Sequence, residues 1–440
     1  MNPLVIAVAA VVLVVLLTTW VRMPAFVSLT VGAVLVGVAA RMPVGEIARA
    51  FQSGIGDTLG FVAMVIALGT VIGKLLAESG GAAVVAAAIV RAFGERRLTW
   101  AMLVAALVIG LPVFFQVGLV LLAPILFTLV RDAGQPLLRL AIPLTAGLSV
   151  MHGLTPPHPG PLAAIERLNA DTGRTLLYGV IVGIPVAILA GPVFGALIGR
   201  RIDVRPGGIA EQLTGDRVGA VRDSGQSCTK QHLTPRVPRA PRLGVALLTL
   251  LLPVGLMLVM PPLIAMLAAT VVALYALGIG CGFGRVRLLQ FAEESLLPIA
   301  SVLLVVGAGG GFGRLLDAAG VDTAIADAVS GFRLSPLVLG WTIAALLRLS
   351  VGSATVACVT AASIVAPIVA GMADVNRELL VVSIGAGSLI ASHVNDGGFW
   401  LVKEYLNMSV QQTVVTWTLM ETIVAFAGLA AVLLLALAVG

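Results

Sequence analysis

Long uncharged runs of hydrophobic residues recur along the chain, and they are continuous rather than alternating with polar residues. Each run predicts a helix that crosses a bilayer, because about 20 helical residues cover about 30 Å of hydrocarbon. A membrane β-strand would alternate between hydrophobic and polar positions, so the pattern indicates helices throughout. The clearest runs cover residues 4–20, 24–40, 176–198 and 243–284, and Pro261 and Pro262 divide the last of these.

One uncharged run, residues 98–130, is too long for one comfortable span and too short for two spans with a turn. Its middle reads "GLPVFFQVG" and contains the polar Gln116, which predicts a re-entrant hairpin. A hairpin tip at membrane depth requires protein or a watery cavity around it. The counterpart in the second half is "RLSVGSATV" (residues 348–356). Two ordinary tilted helices are the alternative for each run.

Two other stretches predict breaks within membrane helices. "MHGLTPPHPGP" (residues 151–161) contains four prolines, and proline in a helix interior removes a backbone donor and breaks the helix. "SHVNDGGFW" (residues 392–400) contains two adjacent glycines. Each stretch therefore predicts a span that unwinds partway.

Polar residues that are rare in this chain fall in these two breaks. Three of the four histidines lie there, namely His152, His158 and His393. Asn395 and Asp396 accompany the last of them. A carboxylate in the hydrocarbon region carries a high free-energy cost, so we expect Asp396 to have a functional role. A lone buried histidine is more often a packing residue, but three at two related breaks favour function.

The two halves of the chain resemble each other at an offset near 240 residues, which predicts a duplicated structure. We expect a first membrane repeat over residues 1–199, a hydrophilic, basic, cytoplasmic linker over 200–242, and a second repeat over 243–440. With the hairpins counted as zero, each half has about five crossings, an odd number that makes the repeats inverted. The matched pairs are Phe51 with Phe291, "GKLLAESG" (73–80) with "GRLLDAAG" (313–320), Trp100 with Trp341, Pro124 with Pro367, His152 with His393, and Gly191 with Gly428.

Composition agrees with a membrane protein, since 59% of residues are hydrophobic, 11% are charged and the mean hydropathy is +1.09. The net charge of +6 would suggest nucleic acid as a partner of a soluble protein, but here basic residues also report loop topology, and we expect no nucleic acid partner. The three cysteines are far apart and give no disulfide framework or metal spacing. No metal, cofactor or enzyme activity is expected.

Broken helices provide what a small hydrophilic anion needs. Half-helix N-termini carry partial positive charge, and unwound carbonyls, amides and hydroxyls pair with substrate hydroxyls. Histidine and Asp396 can exchange protons, which suggests a proton-coupled carrier for a polar anion. Glu421 lies in the last apolar run, where we expect a structural role and a basic partner. The substrate-binding candidates are Gln116, His152, Thr155, His158, Ser353, Thr355, His393 and Asn395. The proton-coupling candidates are Asp396, His152 and His393, and the charge-compensating candidates are Lys74 and Arg348.

The chain resembles the gluconate permease (gluconate:proton symporter) family from end to end outside the linker. The motifs are "HGLTPPHPGP" followed by "NADTGRTLLYG", "LRLSVGSATV", "SHVNDGGFWLVKEYLNMSVQQT" and "METI". The resemblance implies an all-α polytopic protein of the bacterial inner membrane, with inverted repeats and paired hairpins, that takes up a sugar acid with protons. It also implies, by analogy, an elevator-type homodimer.

The chain departs from the family where relatives usually have an acidic residue in a motif such as F-Y-E-V-G. This chain has "FFQVG", and Gln116 cannot carry a proton. Coupling is then altered or moved to Asp396 or a histidine. The alternatives are a symporter for another small carboxylate, such as glycerate, a hexuronate-derived acid or an amino acid, and coupling to sodium.

Overall fold

A computed structural model describes residues 3–210, 239–321, 335–370, 372 and 374–439. These residues form helices and connecting turns, and no β-strand occurs among them. Seven of the described helical segments are long and apolar enough to cross a membrane. The central part of the expected linker, residues 211–238, lies outside the described residues.

The first half consists of helices whose ends coincide with proline, glycine or charged residues. The π-turn Leu189–Val193 continues its ninth helix into the tenth. The helices are α1 (Pro3–Thr19), α2 (Ala25–Ala39), α3 (Val44–Glu78), α4 (Gly81–Phe93), α5 (Leu98–Gly110), α6 (Phe115–Ala133), α7 (Leu137–Leu154), α8 (Pro159–Leu168), α9 (Thr172–Ile188) and α10 (Phe194–Ile198).

The second half follows a similar order. The proline pair at 261 and 262 separates its first two helices, as the sequence predicts. A π-turn at Val414–Thr418 joins the last two helices. The helices are α11 (Leu243–Met257), α12 (Pro262–Ala273), α13 (Arg285–Leu296), α14 (Ala300–Ala318), α15 (Pro336–Val351), α16 (Ala354–Val369), α17 (Arg377–Gly387), α18 (Gly397–Tyr405), α19 (Val410–Thr413) and α20 (Leu419–Val439).

Each half contains a helical hairpin followed by a broken helix. Helices α5 and α6 form the first hairpin, and α15 and α16 form the second. At 1.5 Å per residue, 13-residue α5 covers about 20 Å and 16-residue α15 about 24 Å, both less than a hydrocarbon core. Helix α7 ends at Leu154, before the first proline of the stretch, and α8 begins at Pro159, while α17 and α18 are separated by residues 388–396.

Glycines allow helices of the two halves to pack closely. Helix α14 contacts α3 along much of its length, and α1 and α2 complete a separate apolar cluster around α14. A Cβ added at Gly310 would lie 2.2 Å from Oγ1 of Thr58 and 2.5 Å from the carbonyl oxygen of Gly54. Small residues at such crossings let backbones approach in membrane proteins. The crossing thus joins the helices that contain the matched "GKLLAESG" and "GRLLDAAG" segments.

Candidate functional site

Four helices begin at the turns that the sequence singled out. We call residues 111–114 the first tip, Gly352–Ser353 the second tip, residues 155–158 the first break and residues 388–396 the second break. Helices α6, α16, α8 and α18 begin directly after these four segments, respectively. Their N-terminal amides supply partial positive charge to the region between them.

His158 in the first break and His152 in the last turn of α7, just before it, lie beside the first hairpin. Nε2 of His158 lies 2.8 Å from the carbonyl oxygen of Gly110, and its Nδ1 lies 3.3 Å from Nδ1 of His152. A carbonyl only accepts, so Nε2 of His158 carries the proton in a neutral ring, and its Nδ1 then accepts from His152. This arrangement leaves Nε2 of His152 as a free acceptor. The ring of Phe114 packs against both imidazoles.

Two predicted substrate contacts of the first break are used within the protein instead. The hydroxyl of Thr155 is fully buried and donates to the carbonyl oxygen of Met151 at 2.7 Å. His158 is also fully buried. Because the polar atoms of Thr155 and His158 already have hydrogen-bond partners and no exposed surface, we assign these two residues to holding the first break in place rather than to substrate binding. His152 remains partly accessible.

Asp396 is the most connected polar residue of the second break. One carboxylate oxygen accepts from Nη2 of Arg348 at 2.5 Å and from the hydroxyl of Ser392, and the other accepts from the amide of Gly398 at 2.9 Å. The last bond caps the N-terminus of α18. Arg348 is 3% exposed, and its Nε and Nη1 have no hydrogen-bond partner in the described structure. Asp396 therefore joins the second break to the second hairpin, and two hydrogen-bond donors of Arg348 are left without a partner.

Residues that the sequence analysis did not select connect the second break to the first hairpin. The indole of Trp417 donates to the Ser392 hydroxyl at 2.7 Å, and its ring lies 5.2 Å from that of Phe115 between centroids. The hydroxyl of Thr418 donates to the carbonyl oxygen of Ser392. A tryptophan within an apolar run is the sequence signal that could have identified Trp417. The sequence does not indicate its partner, because Ser392 lies 25 residues away.

The remaining candidates of the second break lie at its accessible edge. Nε2 of His393 and Nδ2 of Asn395 lie 3.2 Å and 3.1 Å from the carbonyl oxygen of Leu349. At the second tip Gly352 has φ +76°, and an added Cβ would lie 2.3 Å from the carbonyl oxygen of Asn395. Only glycine fits this position, because both the backbone conformation and the close approach exclude a side chain.

The second hairpin also approaches the first break, so the polar groups form one region. A Cβ at Gly160, in the first turn of α8, would lie 3.6 Å from the Cα of Thr355. Thr355 and Ser353 are partly buried, and the Ser353 hydroxyl caps α16 by accepting from the amide of Val356 at 3.4 Å. His152 interacts electrostatically with both Arg348 and Asp396. The second hairpin therefore lies against the start of α8, with the Arg348–Asp396 pair within electrostatic range of His152.

Gln116 and Lys74 lie together on a neighbouring cavity of about 460 Å³ that Phe114 separates from the imidazoles. Nζ of Lys74 lies 2.7 Å from Oε1 of Glu78 and 2.8 Å from Oε2 of Glu294. The hydrogen bond from Lys74 lowers the pKa of the exposed Glu294 carboxyl. Lys74 thus neutralises acidic neighbours, whereas Arg348 lies in the shared region.

Glu421 does not pair with a basic residue, although the sequence analysis expected such a partner. It is 1% exposed on α20, and neither carboxylate oxygen has a hydrogen bond of ordinary geometry in the described structure. The Ser149 hydroxyl of α7 interacts with this carboxyl group, and Arg348 and Asp396 act on it electrostatically. The expected pairing was wrong because Arg348 directs its hydrogen bond to Asp396.

These features define a multi-pass membrane protein in which broken helices surround a shared polar region, an arrangement that secondary transporters use. The chain belongs to the GntP family of permeases, whose family model matches residues 2–261 and 258–438. The resemblance recognised in the sequence motifs is thereby confirmed.

Curated relatives are similar over almost their whole length. A gluconate permease of Pseudomonas aeruginosa is 44% identical, with 97% of this chain and 95% of the relative covered. A high-affinity gluconate transporter of Escherichia coli is 38% identical over 98% of this chain and 99% of the relative. The Gnt-II system L-idonate transporter of Escherichia coli is also 38% identical, with 98% of each chain covered.

Solved structures share the fold at low sequence identity. The YdaH transporter of Alcanivorax borkumensis matches with a TM-score of 0.63 at 14% identity, covering 100% of this chain and 99% of that chain. MtrF of Neisseria gonorrhoeae matches with a TM-score of 0.58 at 14% identity, covering 88% of this chain and 84% of that chain. The helical architecture is therefore one that known transporters adopt.

Proposed function

We propose that this protein is a secondary active transporter that takes up gluconate or a closely related sugar acid with protons across the bacterial inner membrane. The observation that carries the proposal is the shared polar region between the two breaks, within a chain 44% identical to a gluconate permease. A sugar acid combines one carboxylate with several hydroxyls, and the region offers groups for both.

The substrate carboxylate is assigned to Arg348, because two of its nitrogen atoms are buried without a partner beside the half-helix N-termini. Hydroxyls are assigned to the free Nε2 acceptor of His152 and to Asn395 at the accessible edge. Ser353, Thr355 and His393 complete this assignment from the second tip and the second break. Gln116 is assigned to the entrance, since it lies on the 460 Å³ cavity, whose volume is typical of small-molecule sites.

We further propose that the two halves are inverted repeats joined by the linker at 200–242 and that both hairpins are re-entrant. The short first arms α5 and α15 and the equivalent positions of the matched residues support this. Trp100 and Trp341 lie on first arms and Pro124 and Pro367 on second arms, while His152 lies in the last turn before the first break and His393 within the second break. An elevator-type motion within a homodimer remains the expectation from the family resemblance.

The proposal is tested with purified protein in proteoliposomes. We expect labelled gluconate to accumulate when the outside is more acidic than the lumen, and a protonophore to abolish this accumulation without a requirement for sodium. Counterflow against unlabelled gluconate distinguishes a carrier from a channel. Accumulation that follows a sodium gradient and ignores the proton gradient would contradict proton coupling, and absence of counterflow would contradict the transport proposal.

A second candidate substrate is a different sugar acid, because an L-idonate transporter is as similar to this chain as the high-affinity gluconate transporter. Competition by unlabelled gluconate, L-idonate, glycerate and a hexuronate ranks them directly. Stronger competition by another acid than by gluconate would reassign the substrate and leave the carrier mechanism intact.

A further inference from the structure

We propose that Glu421 is the residue that binds the transported proton, and that Asp396 is a fixed structural partner of Arg348. This inference rests on the proposed function and assigns its coupling site. It reverses the expectation from the sequence, in which Asp396 and the histidines were the candidates and Glu421 was structural.

The surroundings of Glu421 favour a carboxyl group that carries a proton. It lies on α20, within the apolar segment Val410–Val439. It is 1% exposed, and neither oxygen has a hydrogen bond of ordinary geometry in the described part of the chain. An ionised carboxylate buried in this way costs several kcal/mol unless it is paired. The protonated acid avoids this free-energy cost, and a hydrogen-bond donor that pairs with the carboxylate would offset it.

Asp396 has the opposite surroundings. It accepts three hydrogen bonds, from Arg348, Ser392 and Gly398, and it caps a helix. These bonds hold the carboxylate between the second hairpin and the start of α18. Losing them would release the start of α18 and leave the buried Arg348 without its partner, so we assign Asp396 a structural role.

The charges around Glu421 link its proton to the substrate. Arg348 is the cation that acts on it, and Asp396 is the second carboxylate nearby. With Glu421 ionised, the three groups sum to a net charge of −1, which repels a sugar acid. With Glu421 protonated the sum is zero, and the spare donors of Arg348 are available to the substrate carboxylate. Proton and anion binding therefore favour each other, as symport requires.

The elements packed against α20 contain further ionisable groups, and Arg348 is the one of these that acts electrostatically on Glu421. Those elements are α7, α9, α15, α17 and the two π-turns, and the π-turns have no ionisable side chain. The groups are Arg139 and His152 on α7, Arg174 and Tyr178 on α9, Arg348 on α15, and Arg377 and Glu378 on α17.

The test compares Glu421→Gln with wild type, with Glu421→Asp as the conservative variant and Glu404→Gln as the matched control. Glu404 is an exposed carboxylate paired with Lys403 on α18. Glutamine imitates the protonated acid, so the variant should fold and bind substrate. We expect gluconate counterflow without a pH gradient to stay within about threefold of wild type, while accumulation driven by a pH gradient falls at least about tenfold. Glu421→Asp should retain accumulation, and Glu404→Gln should match wild type.

A second readout measures the proton directly. Gluconate added to purified protein in weakly buffered solution should cause proton uptake, detected with an indicator dye, in wild type and not in Glu421→Gln. Normal accumulation or proton uptake by Glu421→Gln would overturn the assignment, as would equal loss of counterflow and accumulation. Absence of counterflow in wild type would instead overturn the proposed function and, with it, this assignment.

Discussion

The ion pair between Arg348 and Asp396 can be separated from the helix cap that shares its carboxylate. Asp396→Asn keeps an oxygen for the amide of Gly398 but removes the negative charge beside Arg348. Breaking a buried ion pair by removing one partner costs about 3–5 kcal/mol. Because Asp396 is 15% exposed while Arg348 is 3% exposed, we expect the lower end, about 3 kcal/mol. Asp396→Ala loses the cap as well and should cost about 1 kcal/mol more.

The assay is thermal unfolding of the purified protein in detergent, together with a double-mutant cycle that adds Arg348→Gln. We expect a fall of several degrees in melting temperature for Asp396→Asn. The double variant should be clearly more stable than the sum of the two single changes predicts, since it leaves no unpaired buried charge. Additive effects, or an Asp396→Asn variant as stable as wild type, would refute the ion pair as the connection between second hairpin and second break.

Three further predictions concern other parts of the molecule. Gln116→Glu adds a carboxylate to the cavity that contains Lys74, so it should change the pH dependence of uptake without lowering the melting temperature; identical pH profiles would argue against a coupling role at this position. Gly310→Ala should cost about 1–3 kcal/mol of stability in thermal unfolding, because the new Cβ would overlap Thr58, whereas Gly60→Ala on the open face of α3 should be neutral or slightly stabilising. Asn395→Ala should weaken gluconate binding in a thermal-shift titration, and unchanged affinity would remove Asn395 from the site.

The positions of hairpins and breaks follow from the sequence because their causes are local. Prolines at 156, 157, 159 and 161 end one helix and begin the next without help from distant residues. An uncharged run that is too long for one span forces a turn at its glycine and proline residues. The helical class follows from the hydrophobic composition, and the family follows from the motifs.

The partners within the site do not follow from the sequence because they are set by packing between distant segments. Arg348 and Asp396 were both candidates, yet their pairing joins positions 48 residues apart. The burial of His158 depends on a carbonyl 48 residues away, in the first hairpin. The sequence cannot distinguish a paired from an unpaired glutamate in an apolar run. That the Glu421 carboxylate lacks a hydrogen-bond partner is therefore visible only in the structure.

The most direct test of the central claim is an experimental structure with gluconate bound. We predict density for the ligand between the two breaks, with its carboxylate on the guanidinium of Arg348 and its hydroxyls within hydrogen-bond distance of His152 and Asn395. Density for gluconate elsewhere, with the region between the breaks closed and empty, would contradict the account.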